Sequence, residues 1–166
     1  MFEILRKKIN NKIIDIYSNV NRTTEFLIEA NRLKTITLSS NVYRSSVKLQ
    51  NDINKEIIVS LTTYGKRLFD VYLTIESIFQ QTLRPDRIIL WLENELRNTT
   101  LPITLRLLQE RGLEIRYYND IRSYKKLVPT LTLFPEAIII TIDDDVLYKY
   151  DMIENLINEH YRYPNV

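Results

Sequence analysis

The chain has 166 residues, a hydrophobic share of 45%, a charged share of 27% and a formal net charge of +2. That is room for one domain with a real core or for a domain plus an appendage, and the near-balance of charge gives no reason to propose nucleic acid as the main partner. There are no cysteines, which excludes disulfides, zinc-thiolate sites and cysteine nucleophiles. His160 is the only histidine, so a Ser-His-Asp triad has one candidate base. That residue reads as an exposed position after a helix.

Residues 1 to about 32 are predicted as a helix. Phe2, Leu5, Ile9, Ile13, Ile16 and Val20 recur at steps of three and four and form one stripe. Arg6, Lys7, Lys8 and Lys12 interrupt the early part too often for a signal-peptide core, and no apolar run is long enough to span a bilayer. The expected location is therefore the cytoplasm, with the inner face of the membrane as one place for the helix. Its stripe has three outlets: packing on the rest of the chain, self-association, or peripheral contact with an anionic membrane. Packing or self-association is the preferred expectation. Thr35 to Asn54 is rich in Ser, Thr and Asn and reads as a connector with one short helix. Residues 1–54 thus form a helical segment and connector, and 55–166 a second region.

From Glu56 the pattern changes. Ile57 to Leu61 reads as a buried strand, and Thr62-Thr63-Tyr64-Gly65 as a loop. Leu68, Val71, Tyr72, Ile75, Ile78 and Phe79 repeat at helical spacing until Arg84-Pro85-Asp86. Ile88 to Leu92 is a second strand. Pro102 opens and Gly112 closes a helix. Leu113 to Tyr117 is a third strand. Tyr124 to Leu133 reads as a short helix weakened by Pro129, and Ala137 to Ile142 as a fourth strand, the most apolar of all. Met152, Ile153, Leu156 and Ile157 mark a last helix, after which Tyr161 to Val166 turns towards a further strand. Alternating apolar strands and helices imply an α/β fold with a mostly parallel sheet covered on both faces. The strand C-termini then share one edge, where open α/β sheets bind ligands.

Asp143-Asp144-Asp145 follows the fourth strand directly. Three adjacent carboxylates repel one another, and a divalent cation relieves that repulsion. Mg2+ and Mn2+ prefer such hard oxygen ligands. In an extended turn residues 143 and 145 share one side and residue 144 takes the other. The competing reading is a solvated acidic turn ahead of the last helix.

Three stretches carry a family resemblance. Ile57 to Arg67, Thr74 to Thr82, and Ser123 to Pro129 followed by Ile139 to Asp145 together resemble a family-2-like glycosyltransferase, over residues 56 to about 150. The resemblance implies a GT-A (Rossmann-like) fold, an Asp-x-Asp motif at Asp143 and Asp145, and Mn2+ or Mg2+ bridging the phosphates of a nucleotide-diphosphate sugar, a UDP-sugar foremost. It implies transfer to a glycan or lipid-linked acceptor, as in polysaccharide biosynthesis. Thr62, Thr63 and Tyr64 fall in the loop that lines the nucleotide pocket in this family, with turn chemistry as the alternative. Glu93 is the nearest acidic residue after the second strand for base recognition. Lys125 and Lys126 are placed to hold the diphosphate, or form a solvated pair. Asp120 is placed to touch the ribose, with a turn or cap role as the alternative. Tyr117, Tyr118, Tyr148 and Tyr150 are candidates for a sugar site or for packing.

No catalytic base is legible. The family takes its base and acceptor pocket from the segment after the metal site, which is short here. The expectation is therefore donor binding without transfer by this chain alone, with an exposed sheet edge. The alternative is a truncated, non-catalytic sugar-nucleotide-binding or interaction protein. A haloacid-dehalogenase-type phosphoryl transferase ranks low, because its acidic strand comes first and here it is the fourth. Gly65 and Gly112 are the only glycines, so neither a dinucleotide fingerprint nor a P-loop can be written.

Overall fold

The apolar runs become strands β1 (Ile57–Thr62), β2 (Arg87–Glu93), β3 (Leu113–Tyr118) and β4 (Ile138–Thr141) in a computed structural model that describes residues 2–39 and 55–163. All pairings are parallel, in the order β3-β2-β1-β4. Val59 stands opposite Ile88 on one side and Ile140 on the other. The helices are α1 (Phe2–Leu38), α2 (Val71–Phe79), α3 (Ile103–Glu110), α4 (Val128–Leu133) and α5 (Met152–Arg162). The fold is α/β and Rossmann-like.

The two sheet faces are unequal. Ile57, Val59 and Leu61 of β1 and Ile88, Leu90 and Leu92 of β2 alternate onto one face. There they meet Val71, Ile75 and Ile78 of α2, Leu105 and Leu108 of α3, and Ile153 and Ile157 of α5. Among the described residues, the apolar cluster on the other face is smaller: Ile58, Ile89 and Trp91, with Phe134, Ala137 and Tyr118 against them. It is covered by the segment around α4, where Thr130 Oγ1 lies 2.9 Å from Ser60 Oγ and accepts from Trp91 Nε1 at 2.8 Å. Leu127, Val128, Leu131 and Leu133 stay exposed. The expected cover on both faces is present, but thin on the second.

Several boundaries differ from the sequence expectation. α1 runs on through Thr35 to Leu38 because its last turns dock: Leu33 and Thr37 are buried against α2 and α3. Tertiary contact outweighs the weak helix propensity of threonine there. The rest of the expected connector, 40–54, lies outside the described residues, as does the turn at 164–166. The described side chains of the long stripe do not pack on the sheet region. Ile13, Ile16 and Val20 are exposed, and the side chains of Phe2, Leu5 and Ile9 are outside the described set. The second predicted helix divides into a 3-10 turn, Gly65–Phe69, and α2. The fourth divides likewise into a 3-10 turn, Arg122–Lys126, and α4. Pro129 falls in the first turn of α4, where its missing N–H costs nothing, so it starts a helix instead of weakening one. β4 is only half-buried, because it forms an edge of the four-stranded sheet. Gly112 closes α3 at φ +110°, as its position implied.

One polar knot ties the helices together on the main face. The Glu76 carboxylate of α2 is fully buried and takes both guanidinium ends of Arg111, at 2.6 and 2.9 Å. Thr37 Oγ1 of α1 and Gln80 Nε2 also donate to it, each at 2.9 Å. Arg111 stacks over Phe79, 4.8 Å from the ring centre.

Candidate functional site

The direction of strand addition reverses at β1. β2 and β3 are added on one side, and β4 returns to the other. Such a reversal opens a crevice at the C-terminal ends of the two diverging strands, here β1 and β4. Thr62, Thr63 and Tyr64 leave β1 into that crevice, and Asp143 to Asp145 leave β4.

Asp144 is the inward member, with 8% of its surface exposed. Its carboxylate accepts from Thr63 Oγ1 at 2.6 Å and from an Arg67 Nη at 2.9 Å. Its backbone carbonyl accepts from Thr74 Oγ1 of α2 at 3.0 Å. Asp144 therefore ties the β4 exit to the β1 loop and to α2. Asp143 and Asp145 face outward, 68% and 53% exposed, as the alternation along the turn implied. Lys126 Nζ lies 2.7 Å from Asp143 Oδ1 and also donates to the Ile142 carbonyl at 3.2 Å. The second Nη of Arg67 reaches Asp145 at 3.3 Å. The hydrogen bond to Asp144 and the charges of Asp144 and Asp145 raise the Arg67 pKa further. Asp143 N–H donates to the Tyr148 hydroxyl at 3.0 Å. Burial raises the Tyr148 pKa, so it stays a neutral phenol.

The two lysines separate. Lys125 is 2% exposed, and its ammonium is held by Asp120 at 3.0 Å and Glu93 at 3.3 Å. It joins the exits of β2 and β3 from beneath. Asp120 also accepts from the backbone N–H of Arg122 at 2.9 Å, an Asx-type turn that supports Arg122 at φ +56°. That backbone hydrogen bond, then Lys125, hold the Asp120 carboxyl below its usual pKa. So Asp120 takes its turn role, and Glu93 and Lys125 bind each other. Lys126 alone of the pair faces the crevice.

Thr62 Oγ1 is spent on the Trp91 carbonyl at 2.9 Å, a cross-strand tie. Tyr64 is exposed beside the crevice, with the Arg67 guanidinium 5.5 Å from its ring centre. Tyr118 packs edge-on to Trp91, Tyr117 lies under Arg97, and Tyr150 is exposed. His160 lies within α5, exposed, with its ring edge-on to Tyr161.

The residues that sequence reasoning left without a role are Arg67, Thr74 and the inward Asp144. Arg67 stands in the Gly65-Lys66-Arg67 run, but only the 3-10 turn Gly65–Phe69 aims it across at β4. Among the described residues no three His, Cys, Asp or Glu side chains gather as a metal cage. What the crevice offers is two outward carboxylates flanked by two cations, on hard oxygen chemistry. Each of the two carboxylates is ion-paired, Asp143 with Lys126 and Asp145 with Arg67.

No protein-family model matches this chain, and no curated protein matches it.

Proposed function

We propose that the crevice between β1 and β4 binds a nucleotide-diphosphate sugar with a divalent cation, and that the chain is the donor side of a metal-assisted glycosyltransferase. The observation that carries this reading is the split of the acidic triplet. Asp144 is buried as a strut, while Asp143 and Asp145 face outward at the topological switch point. Asp143 and Asp145 would hold Mn2+ or Mg2+, and the ion would supply neutralisation of the departing diphosphate. Lys126 and Arg67 stand next to those carboxylates, where they would turn to phosphate oxygens as charge develops. Tyr64, exposed at the mouth, offers a face for the base. The acceptor in this reading is a glycan or lipid-linked saccharide, met on the cytoplasmic side. Among the described residues no helix is long and apolar enough to cross a membrane.

A second reading is favoured by one observation. Each of the three carboxylates already has a basic or hydroxyl partner in the protein. The triplet would then close the sheet edge in a non-catalytic binding or interaction protein.

One experiment separates them. UDP, GDP and uridine are titrated calorimetrically with and without Mn2+ into the wild-type chain, Asp145→Asn and Lys126→Ala. The donor-site reading expects Mn2+-dependent UDP or GDP binding that Asp145→Asn abolishes. It also expects Lys126→Ala to weaken UDP more than uridine. No nucleotide binding, or metal-dependent binding unchanged in Asp145→Asn, returns the triplet to a purely structural role.

A further inference from the structure

The part of α1 before its docked last turns carries an apolar stripe whose described side chains are covered by none of the described residues. Phe2, Leu5, Ile9, Ile13, Ile16, Val20, Thr24 and Leu27 follow one another at steps of three, four, four, three, four, four and three. At about 100° per residue they fall within an arc of about 100°. Leu33 and Thr37, which dock on α2 and α3, lie roughly a third of a turn away around the helix. Docking the body therefore leaves the seam free: Ile13, Ile16, Val20 and Leu27 are all exposed. Thr24 interrupts the apolar character, but its hydroxyl donates to the Val20 carbonyl at 2.9 Å. That bond satisfies the donor within the helix and lets the methyl join the seam.

We infer that this seam pairs with the same seam of a second copy, antiparallel, centred between residues 14 and 15. The spacing reads the same from either end. Reversing one helix sets Phe2 against Leu27, Leu5 against Thr24, Ile9 against Val20, and Ile13 against Ile16, with every layer filled. Charge selects the same direction. Residues 1–14 carry Glu3 against Arg6, Lys7, Lys8 and Lys12, while the residues that would face them, 15–28, carry Arg22 against Asp15 and Glu25. Antiparallel pairing sets the positive end beside the negative one, and parallel pairing would stack the lysine-rich ends on each other. A helix lying in an anionic bilayer interface carries basic residues along its length. Here the basic residues concentrate in the first third. An 11-residue repeat is close to the natural helix period, so the two helices would run nearly straight past each other. The bodies, carried on the C-terminal ends of α1, would then sit at opposite ends of a rod about 40 Å long.

A seam of roughly 40 Å by about 10 Å is at the small end of specific interfaces, so dissociation in the micromolar range is expected. Sedimentation velocity on the full chain, from about 1 to about 200 µM, should move from the 19.9 kDa monomer towards twice that mass. Ile13→Asp with Ile16→Asp should hold it at the monomer. Both sites are exposed, so circular dichroism of the body should stay unchanged. The chain has no cysteine of its own, so disulfides report direction. Mixed Ile9→Cys and Val20→Cys chains should cross-link to each other faster than Ile9→Cys links to itself. A monomer at every concentration overturns the inference. So does faster self-linking of Ile9→Cys, or a monomer that co-sediments with vesicles of one-third phosphatidylserine and loses that binding in the Asp variant.

Discussion

Replacing Asp144 by Ala should destabilise the fold, while replacing its neighbour Asp145 by Asn should not. The Asp144 carboxylate is almost fully enclosed, and its 2.6 Å bond from Thr63 is buried and charge-assisted. Such a bond contributes about 1.5–3 kcal/mol, and its loss leaves the Thr63 hydroxyl buried without its acceptor. Thr63 is itself buried, so water cannot readily replace the lost partner. The Arg67 arm is half-exposed and adds little. The expected cost of Asp144→Ala is therefore about 2–3 kcal/mol. In urea this is a lower midpoint with an unchanged slope, because the surface exposed on unfolding is the same. Asp145→Asn touches only an exposed carboxylate 3.3 Å from Arg67, and its midpoint should stay with the wild type. Equal midpoints for the two variants, or a larger loss in Asp145→Asn, would refute the division of the triplet into a buried strut and two outward carboxylates.

Two further outcomes follow from the same geometry. Glu76→Ala strands Arg111, Thr37 and Gln80 around an empty site; breaking this buried pair should cost about 3–5 kcal/mol and raise hydrogen exchange in residues 29–38 of α1, read by mass spectrometry. The Glu114 carboxyl is opposed by desolvation, yet Arg116 and Arg87 pull its pKa below the ordinary 4.5. A carboxyl depressed in the folded state contributes stability above its unfolded pKa and loses it as pH falls through the lower folded value. Wild type and Glu114→Gln should therefore differ by about 1 kcal/mol at pH 7 in urea titrations and converge well below pH 4.5. A gap that persists in acid would assign the effect to packing.

The sheet was legible because its strands are continuous apolar runs of β-branched residues between turn signals. Ile57 to Leu61 and Ile88 to Leu92 fall where the pattern puts them. The order of the strands was not legible, since nothing local in Ile138 to Thr141 says which side of β1 it joins. The placement of the acidic triplet at a strand exit was readable, and so was the opposite facing of its middle member. Its partners were not. Arg67 is far from Asp144 in sequence, and the contact exists only because the β1 loop and the β4 exit are brought together by the reversal of strand order. Nor could periodicity tell that Ile13, Ile16 and Val20 would stay exposed, because burial of a stripe depends on what the rest of the chain presents to it. Among the described residues, the last turns of α1 find a partner, through Leu33, Thr37 and Glu76.

Lys125 and Lys126 show how little separates a strut from a candidate ligand in this crevice. They are adjacent in a 3-10 turn, where successive side chains point about 120° apart. One is driven beneath the strand exits, where an unpaired ammonium would be costly, and Asp120 and Glu93 offset that cost. The other emerges beside Asp143, with 20% of its side chain exposed. A phosphate approaching from solvent would meet Lys126 and Arg67, both beside the outward carboxylates. It does not meet Lys125, whose partners would have to be broken first. The same division runs through the triplet, with Asp144 inside and Asp143 and Asp145 outside. Both cations and both carboxylates that face the solvent thus lie along one short stretch of the β1–β4 crevice. That concentration of paired, exchangeable charge is what the donor-site reading asks of this edge, and the calorimetric comparison of UDP with uridine in Lys126→Ala reads it directly.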